Sequence, residues 1–238
     1  MAALRLVCFD LDDTLWHVEP VLVRAERETW AWLVERHPDL SICFDAAWVR
    51  EKRTALLRQR PEYLHDLTSL RRDAMRDMLL AAGRDDATAT RTAADAMDVF
   101  LHLRNQVEFF PGVLDALERV RRRCKLAALS NGNANLQRTG VGHLFDVVLS
   151  AETVGRAKPH PAMFERALAD AGVTADEAAH VGDHPEHDVL AARGAGLHAV
   201  WANPLARPRP EALPDDVPAL DRFDDLDDVL ERLAARRC

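Results

Sequence analysis

Leu4-Arg5-Leu6-Val7-Cys8-Phe9-Asp10-Leu11-Asp12-Asp13-Thr14 begins as a nearly continuous apolar run and stops at a cluster of acids. A short run of this kind suits a strand buried on both faces of a parallel sheet, with the acids at its carboxyl end. Three later runs have the same form: Leu126 to Leu129 ending at Ser130, Ala179 to Gly182 ending at Asp183, and His198 to Trp201. Each follows a stretch with helical spacing, at Gly112 to Arg123, Pro161 to Ala171 and His187 to Ala195, and Asp224 to Ala235 closes the chain with a fourth. Pro161 stands at a first-turn position, and Gly172 follows the last turn. Alternating strands and helices predict an α/β fold, a doubly wound parallel sheet built from residues 1–16 and 108–238.

Residues 17–107 have a different texture, with few β-branched runs and Ala, Leu, Arg and Glu at helical periods. They predict helices over Pro20–Arg36, Asp45–Arg58, Asp66–Ala82 and Ala87–Arg104, punctuated by Pro38, Pro61 and Gly83. A helical block inserted after the first strand reads as a cap, because ligands in open α/β sheets bind beyond the carboxyl ends of the strands. Trp30, Trp32 and Trp48 are expected to fill its interior. Pro204, Pro208, Pro210, Pro214 and Pro218 predict an irregular surface segment over residues 203–218.

The chain of 238 residues has 48% hydrophobic and 29% charged residues, the balance of an ordinary globular protein. A formal net charge of -8 argues against nucleic acid and anionic membranes as partners, since both select clustered Lys and Arg. Cys8, Cys43, Cys124 and Cys238 are scattered, with no zinc or disulfide spacing, and read as reduced thiols. The start has no long apolar signal region and no stretch reaches membrane-span length, so a cytoplasmic location is expected. The oligomeric state, monomer or homodimer, is left open.

Asp10 and Asp12 lie two residues apart where a turn can aim both carboxyl groups into one crevice. One carboxylate can attack phosphorus and form an acyl phosphate, while the other protonates the departing alkoxide and then activates water. Either Asp12 or Asp13 could equally cap a following helix. Ser130, with Asn131-Gly132-Asn133, could hold phosphate oxygens at a helix start, or simply form a turn. Lys158 is one of three lysines, with Lys52 and Lys125, among many arginines; its ammonium could neutralise a nucleophilic carboxylate and a phosphoryl group. Asp183 together with Asp10 would make an oxygen-rich site suited to Mg²⁺, with Asp188 binding through water or orienting its neighbours. Each group alone has an ordinary structural explanation. Their joint appearance at successive strand ends favours one site.

In these residues the chain resembles the haloacid dehalogenase superfamily of hydrolases: Asp10-Leu11-Asp12-Asp13-Thr14 as first motif, Ser130 as second, Lys158 as third, and Gly182-Asp183 with Asp188 as fourth. The resemblance implies a Rossmann-like core with a helical cap between the first and second motifs. It also implies Asp10 as nucleophile and Asp12 as acid/base, with Mg²⁺ held by Asp10, the backbone carbonyl of Asp12 and the fourth-motif Asp183. Glu19-Pro20-Val21-Leu22, the Arg24–Glu28 stretch, Tyr63-Leu64-His65-Asp66 and Ser130-Asn131-Gly132-Asn133 look like the bacterial flavin mononucleotide phosphatase subgroup. That subgroup also hydrolyses 5-amino-6-(5-phospho-D-ribitylamino)uracil. The expected partner is therefore a small phosphorylated metabolite.

Dehalogenation needs neither a proton donor for an alkoxide nor a metal, so Asp12 and Asp183 favour phosphate chemistry. A phosphonate hydrolase would need a cap lysine, and Lys52, flanked by Arg50, Glu51 and Arg53, reads as an exposed helix face. A phosphomutase would keep the same core residues, and a phosphate-binding module without catalysis is the alternative from another class. Trp16, His17, Tyr63 and His65 are candidates for stacking or hydrogen bonding to a flat substrate ring. His160, His184 and His187 surround the third and fourth motifs.

Overall fold

The computed structural model describes residues 4–235, so Cys238 and the first three positions lie outside the described residues. The chain divides into two compact units, Met1–Val18 with Val107–Cys238, and Glu19–Gln106.

The first unit is built on a parallel sheet that has six strands among the described residues: β1 (Leu6–Phe9), β2 (Lys125–Ser130), β3 (Val147–Ser150), β4 (Ala178–Gly182), β5 (His198–Ala202) and β6 (Ala219–Leu220). Their order is β3-β2-β1-β4-β5-β6, which places β1 between β2 and β4. Side chains alternate across a strand. Val7 and Phe9 accordingly enter one apolar cluster, with Leu126, Ala128 and Val181, while Leu6 and Cys8 enter another, with Ala127, Leu129 and Ala178. Both faces are buried, which is why the run before Asp10 is apolar without alternation. Two strands escaped the sequence reading. β3 is four residues long with Val148 half exposed, and β6 is a two-residue pairing directly after Pro218.

The second unit is helical: α1 (Val18–Arg36), α2 (Leu40–Cys43), α3 (Ala46–Gln59), α4 (Leu67–Ala81) and α5 (Asp86–Arg104). Three aspartates start α3, α4 and α5. Asp45 accepts from Trp48 N at 2.8 Å, Asp66 from Ser69 N at 2.8 Å and Asp85 from Thr88 N at 2.9 Å, each a cap of about 1 kcal/mol. Leu33, Leu40, Met78, Leu79 and Ala93 form its main interior, with Trp30, Trp32 and Trp48 partly buried around it. Lys52 pairs with Asp77 at 2.8 Å.

Helices α6 (Val113–Arg121), α7 (Ala151–Val154), α8 (Ala162–Ala171), α9 (Ala191–Gly194) and α10 (Leu226–Ala235) belong to the first unit. The helix expected from His187 is a π-helical turn over Pro185–Leu190 that runs into α9. Proline at its first position and Asp188 folded back toward β4 account for the irregular start.

Candidate active site

The parallel ladders of β1 with β2 and β4 carry Asp10 to the point where the strand order reverses, the usual ligand crevice of an open α/β sheet. Asp10 N donates to Val181 O at 2.9 Å, and the residue is 8% exposed. Lys158, 2% exposed, spends its three donors on Asp10 Oδ1 at 2.8 Å, Asp188 Oδ1 at 2.6 Å and the Leu129 carbonyl at 2.6 Å. Burial works against this ammonium, but Asp10 and Asp188 outweigh it and hold its pKa above the ordinary value. Asp188 is pulled the other way. Burial alone would raise it, yet Lys158 and His180 keep it well below the usual carboxylate range. Burial pushes Asp10 well up; Lys158 opposes the rise, while the charges of Asp188 and Asp183 add to it.

The loop after β1 is held by its own side chains. Trp16 Nε1 donates to Asp12 Oδ1 at 2.8 Å. Asp13 sits at φ 58°, a left-handed conformation that Asp tolerates better than most residues. Its Oδ1 accepts from Val18 N at 2.9 Å at the start of α1, the capping role considered for this cluster. Thr14 Oγ1 accepts from Asp183 N at 3.0 Å, tying the loops after β1 and β4 together.

Asp183 is gripped from three sides. Besides Thr14, Trp201 Nε1 donates to its carbonyl at 2.9 Å, and Arg207 Nη1 donates to Oδ2 at 3.2 Å. The same guanidinium reaches Asp13 Oδ2 at 2.7 Å. Arg207 is held in turn by a clasp on Asn203, whose Oδ1 accepts from Arg207 N at 2.8 Å while its Nδ2 donates to Arg207 O at 3.1 Å. Burial, then Asp188 and Asp13, push the Asp183 pKa up to about 7 against the opposing pull of Arg207. Gly182 makes room for this arrangement. A Cβ there would stand 2.5 Å from Asp188 Cγ, so any larger residue would drive Asp188 out of place.

Carboxylate oxygens of Asp10, Asp183 and Asp188 lie within 4.8 Å of one another. Three mutually repelling oxygen donors, two of them with raised pKa, fit a hard divalent cation, which takes oxygen ligands and supplies the missing positive charge. The Asp12 side chain is not part of that group.

Several expected roles are revised by the geometry. No helix follows Ser130; the segment is irregular, and Gly132 N donates to Ser130 Oγ at 2.9 Å, so the hydroxyl caps a turn. The Asn131 amide is engaged with the backbone of Lys158, donating to its carbonyl and accepting from its N–H, both at 2.8 Å. It therefore positions the lysine. Trp16 has no exposed surface and packs edge-on against Phe109, so its ring face is not offered to a ligand. Tyr63 packs inside the helical unit with Leu56, Leu70 and Ala74, and its hydroxyl is bound by Arg60 and Asp73. His17 and His65 are partly exposed, and His65 ends the short turn Pro61–Leu64. His184 stacks on His187 and accepts from the N–H groups of Glu186 and His187, which makes it a helix cap.

Three participants were missed. Arg207 lay in a proline-rich segment whose composition signals only irregularity. His180, fully buried on β4 with Nε2 3.0 Å from Asp188, stands in a run whose pattern signals only a strand, although a histidine within Ala178–Gly182 is itself a signal. Thr14 lies within the first motif, whose pattern signals no contact for its hydroxyl.

The chain matches the haloacid dehalogenase-like hydrolase family over residues 4–196. It belongs to that family. This hydrolase is 33% identical over 204 residues to the 5-amino-6-(5-phospho-D-ribitylamino)uracil phosphatase of Escherichia coli strain K12, covering 86% of this chain and 85% of the relative. It is 41% identical over 134 residues to the phosphoserine phosphatase of Thermus thermophilus, covering 53% and 54%. Its fold superposes on a structure described as 2-haloacid dehalogenase from Pseudomonas syringae with a TM-score of 0.90 and 39% identity, covering 96% of this chain and 99% of that one. No helix among the described residues is long and apolar enough to cross a membrane.

Proposed function

We propose that the hydrolase removes phosphate from a small phosphorylated metabolite through an aspartyl-phosphate at Asp10, with Mg²⁺ as cofactor. The observation that carries this reading is the pairing of Asp10 with Lys158 beside an Asp12 whose orientation is set by Trp16.

Lys158 holds Asp10 Oδ1, and Oδ2 has a long Thr14 contact at 3.4 Å, so Oδ2 is the oxygen free to attack. It bonds to phosphorus as the ester P–O bond breaks, and Asp12 gives its proton to the departing alkoxide. Water then attacks the phosphorus of the acyl phosphate, Asp12 takes the water proton, and Asp10 is regenerated as phosphate leaves. Asp10, Asp183 and Asp188 would hold the Mg²⁺, which supplies Lewis-acid stabilisation of the phosphoryl charge. Lys158 adds positive charge beside Asp10. The helical unit serves as the family's cap.

A flavin or ribitylamino-uracil phosphate is the proposed substrate class, supported by the Escherichia coli relative and by the sequence likeness around Tyr63–Asp66 and Ser130–Asn133. The dehalogenase description of the Pseudomonas syringae structure supplies the second reading. Asp12 supports the phosphatase reading over it, since halide departure needs no acid.

The test is phosphate release from p-nitrophenyl phosphate, flavin mononucleotide, the ribitylamino-uracil phosphate and a sugar-phosphate panel, run beside halide release from 2-chloropropionate. Mg²⁺-dependent phosphate release, lost in Asp10→Asn, is expected. Halide release without phosphate release would reverse the assignment, and equal rates on all phosphates would remove the flavin class.

A further inference from the structure

The helical unit contains a cavity of about 390 Å³ between α1, α3, α4 and α5. That volume falls within the range of small-molecule sites, roughly 300–1,000 Å³. Trp30, Leu33, Val49, Met75, Met78 and Phe100 supply apolar walls. Thr29 also lines it, and its hydroxyl is buried with no hydrogen-bond partner. A buried hydroxyl left unpaired is costly and uncommon.

The polar part of the lining is one-sided in charge. Arg27, Arg50, Arg53 and Arg71 face a single acid, Glu26. Both Arg53, at 2.8 Å, and Arg71, at 2.6 Å, are already committed to Glu26 Oε1, and Arg71 also lies over the Phe100 ring at 4.5 Å. Arg27 pairs with Glu28 at 3.4 Å. Arg50 has no side-chain partner among the described residues. An apolar chamber with an unpaired hydroxyl in its wall and an uncommitted guanidinium in its polar lining is complementary to one ligand chemistry: an apolar body carrying an anionic head.

We infer that the helical unit carries a binding site of its own for a small amphiphilic organic anion, with the apolar body among Trp30, Met75 and Met78 and the acid group on Arg50. The site is independent of the phosphatase reading, because every residue in it lies within the helical unit.

The experiment titrates the intact protein with the fluorescent anion anilinonaphthalene sulfonate under native conditions, and repeats it with Arg50→Glu, Val49→Trp and Asp10→Asn. One equivalent is expected to bind saturably. Arg50→Glu, an exposed side chain whose replacement leaves the melting temperature unchanged, should weaken binding about tenfold. Val49→Trp fills the cavity and should abolish binding, whereas Asp10→Asn should bind as the parent does and inorganic phosphate should not displace the dye. Absence of binding, or binding indifferent to Arg50→Glu, overturns the proposal. Displacement by phosphate that depends on Asp10 would do the same by moving the dye to the first unit. If Val49→Trp fails to fold, Arg50→Glu still decides.

Discussion

Trp16 donates its indole N–H to Asp12 Oδ1 at 2.8 Å from a ring that has no exposure to solvent. The proposed acid/base residue is therefore oriented by an aromatic side chain four positions later. Replacing Trp16 by Phe keeps most of the packing against Phe109 and removes the donor. The expected result is a fall in kcat of about tenfold with KM little changed, smaller than the roughly 10²- to 10⁴-fold loss from Asp12→Asn. A Trp16→Phe enzyme with unchanged kcat would show that the bond is incidental.

Lys158 stands between two buried carboxylates, and its removal takes away their shared counter-charge, leaving Asp188 with His180 Nε2 at 3.0 Å. Lys158→Met is expected to abolish turnover and to cost about 3–5 kcal/mol of stability at pH 8. Asp10 and Asp188 would then carry raised pKa values in the fold. An acid with a raised folded pKa stabilises the protein while protonated, so part of the loss should return as pH is lowered toward 5. Urea unfolding of both proteins at the two pH values checks the direction.

In the metal-free protein Asp183 keeps its proton up to about pH 7, against an ordinary carboxylate value of 3.8. The folded state thus binds more protons than the unfolded state across that window. Its contribution to stability is complete below 3.8 and is lost as pH rises through about 7. Added Mg²⁺ must displace that proton at acid pH and meets a free carboxylate at pH 8. Thermal melts with MgCl₂ against EDTA should show a larger gain at pH 8 than at pH 5. Equal gains would remove Asp183 from the ligand set.

Arg207 is 49% exposed in its side chain and joins Asp183 to Asp13. As a fixed cation beside a carboxylate proposed to bind metal, it repels an incoming divalent ion, though solvent screens the effect. Arg207→Met should tighten Mg²⁺ binding about threefold at pH 8 by calorimetry, while lowering the melting temperature of the metal-free protein. Weaker binding in the variant would mean that the guanidinium orients Asp183 more than it opposes the ion.

Gly182 is placed by contact rather than by backbone torsion, since a Cβ would overlap Asp188. Gly182→Ala should lose at least tenfold in activity and destabilise the fold by about 1–3 kcal/mol. A fully active variant would show that Asp188 can move without consequence.

Local pattern carried much of this protein. The apolar runs before Asp10, Ser130 and Asp183 predicted β1, β2 and β4, because burial on both faces leaves its mark residue by residue along a strand. Helical periods did the same for α3, α4 and α5. The family motif also brought Asp10, Lys158, Asp183 and Asp188 forward as candidates. What the amino-acid order could not express was which side chain each would spend its hydrogen bonds on. Lys158 meets Asp10 across 148 positions and Arg207 meets Asp13 across 194, and the direction of every shifted pKa at the site follows from such distances and from burial. Asn131 and Trp16 looked like ligand contacts in sequence; in the fold they hold Lys158 and Asp12. Periodicity is a local property and survives in the linear order, whereas charge pairing in a buried site depends on separations that exist only once the sheet has formed.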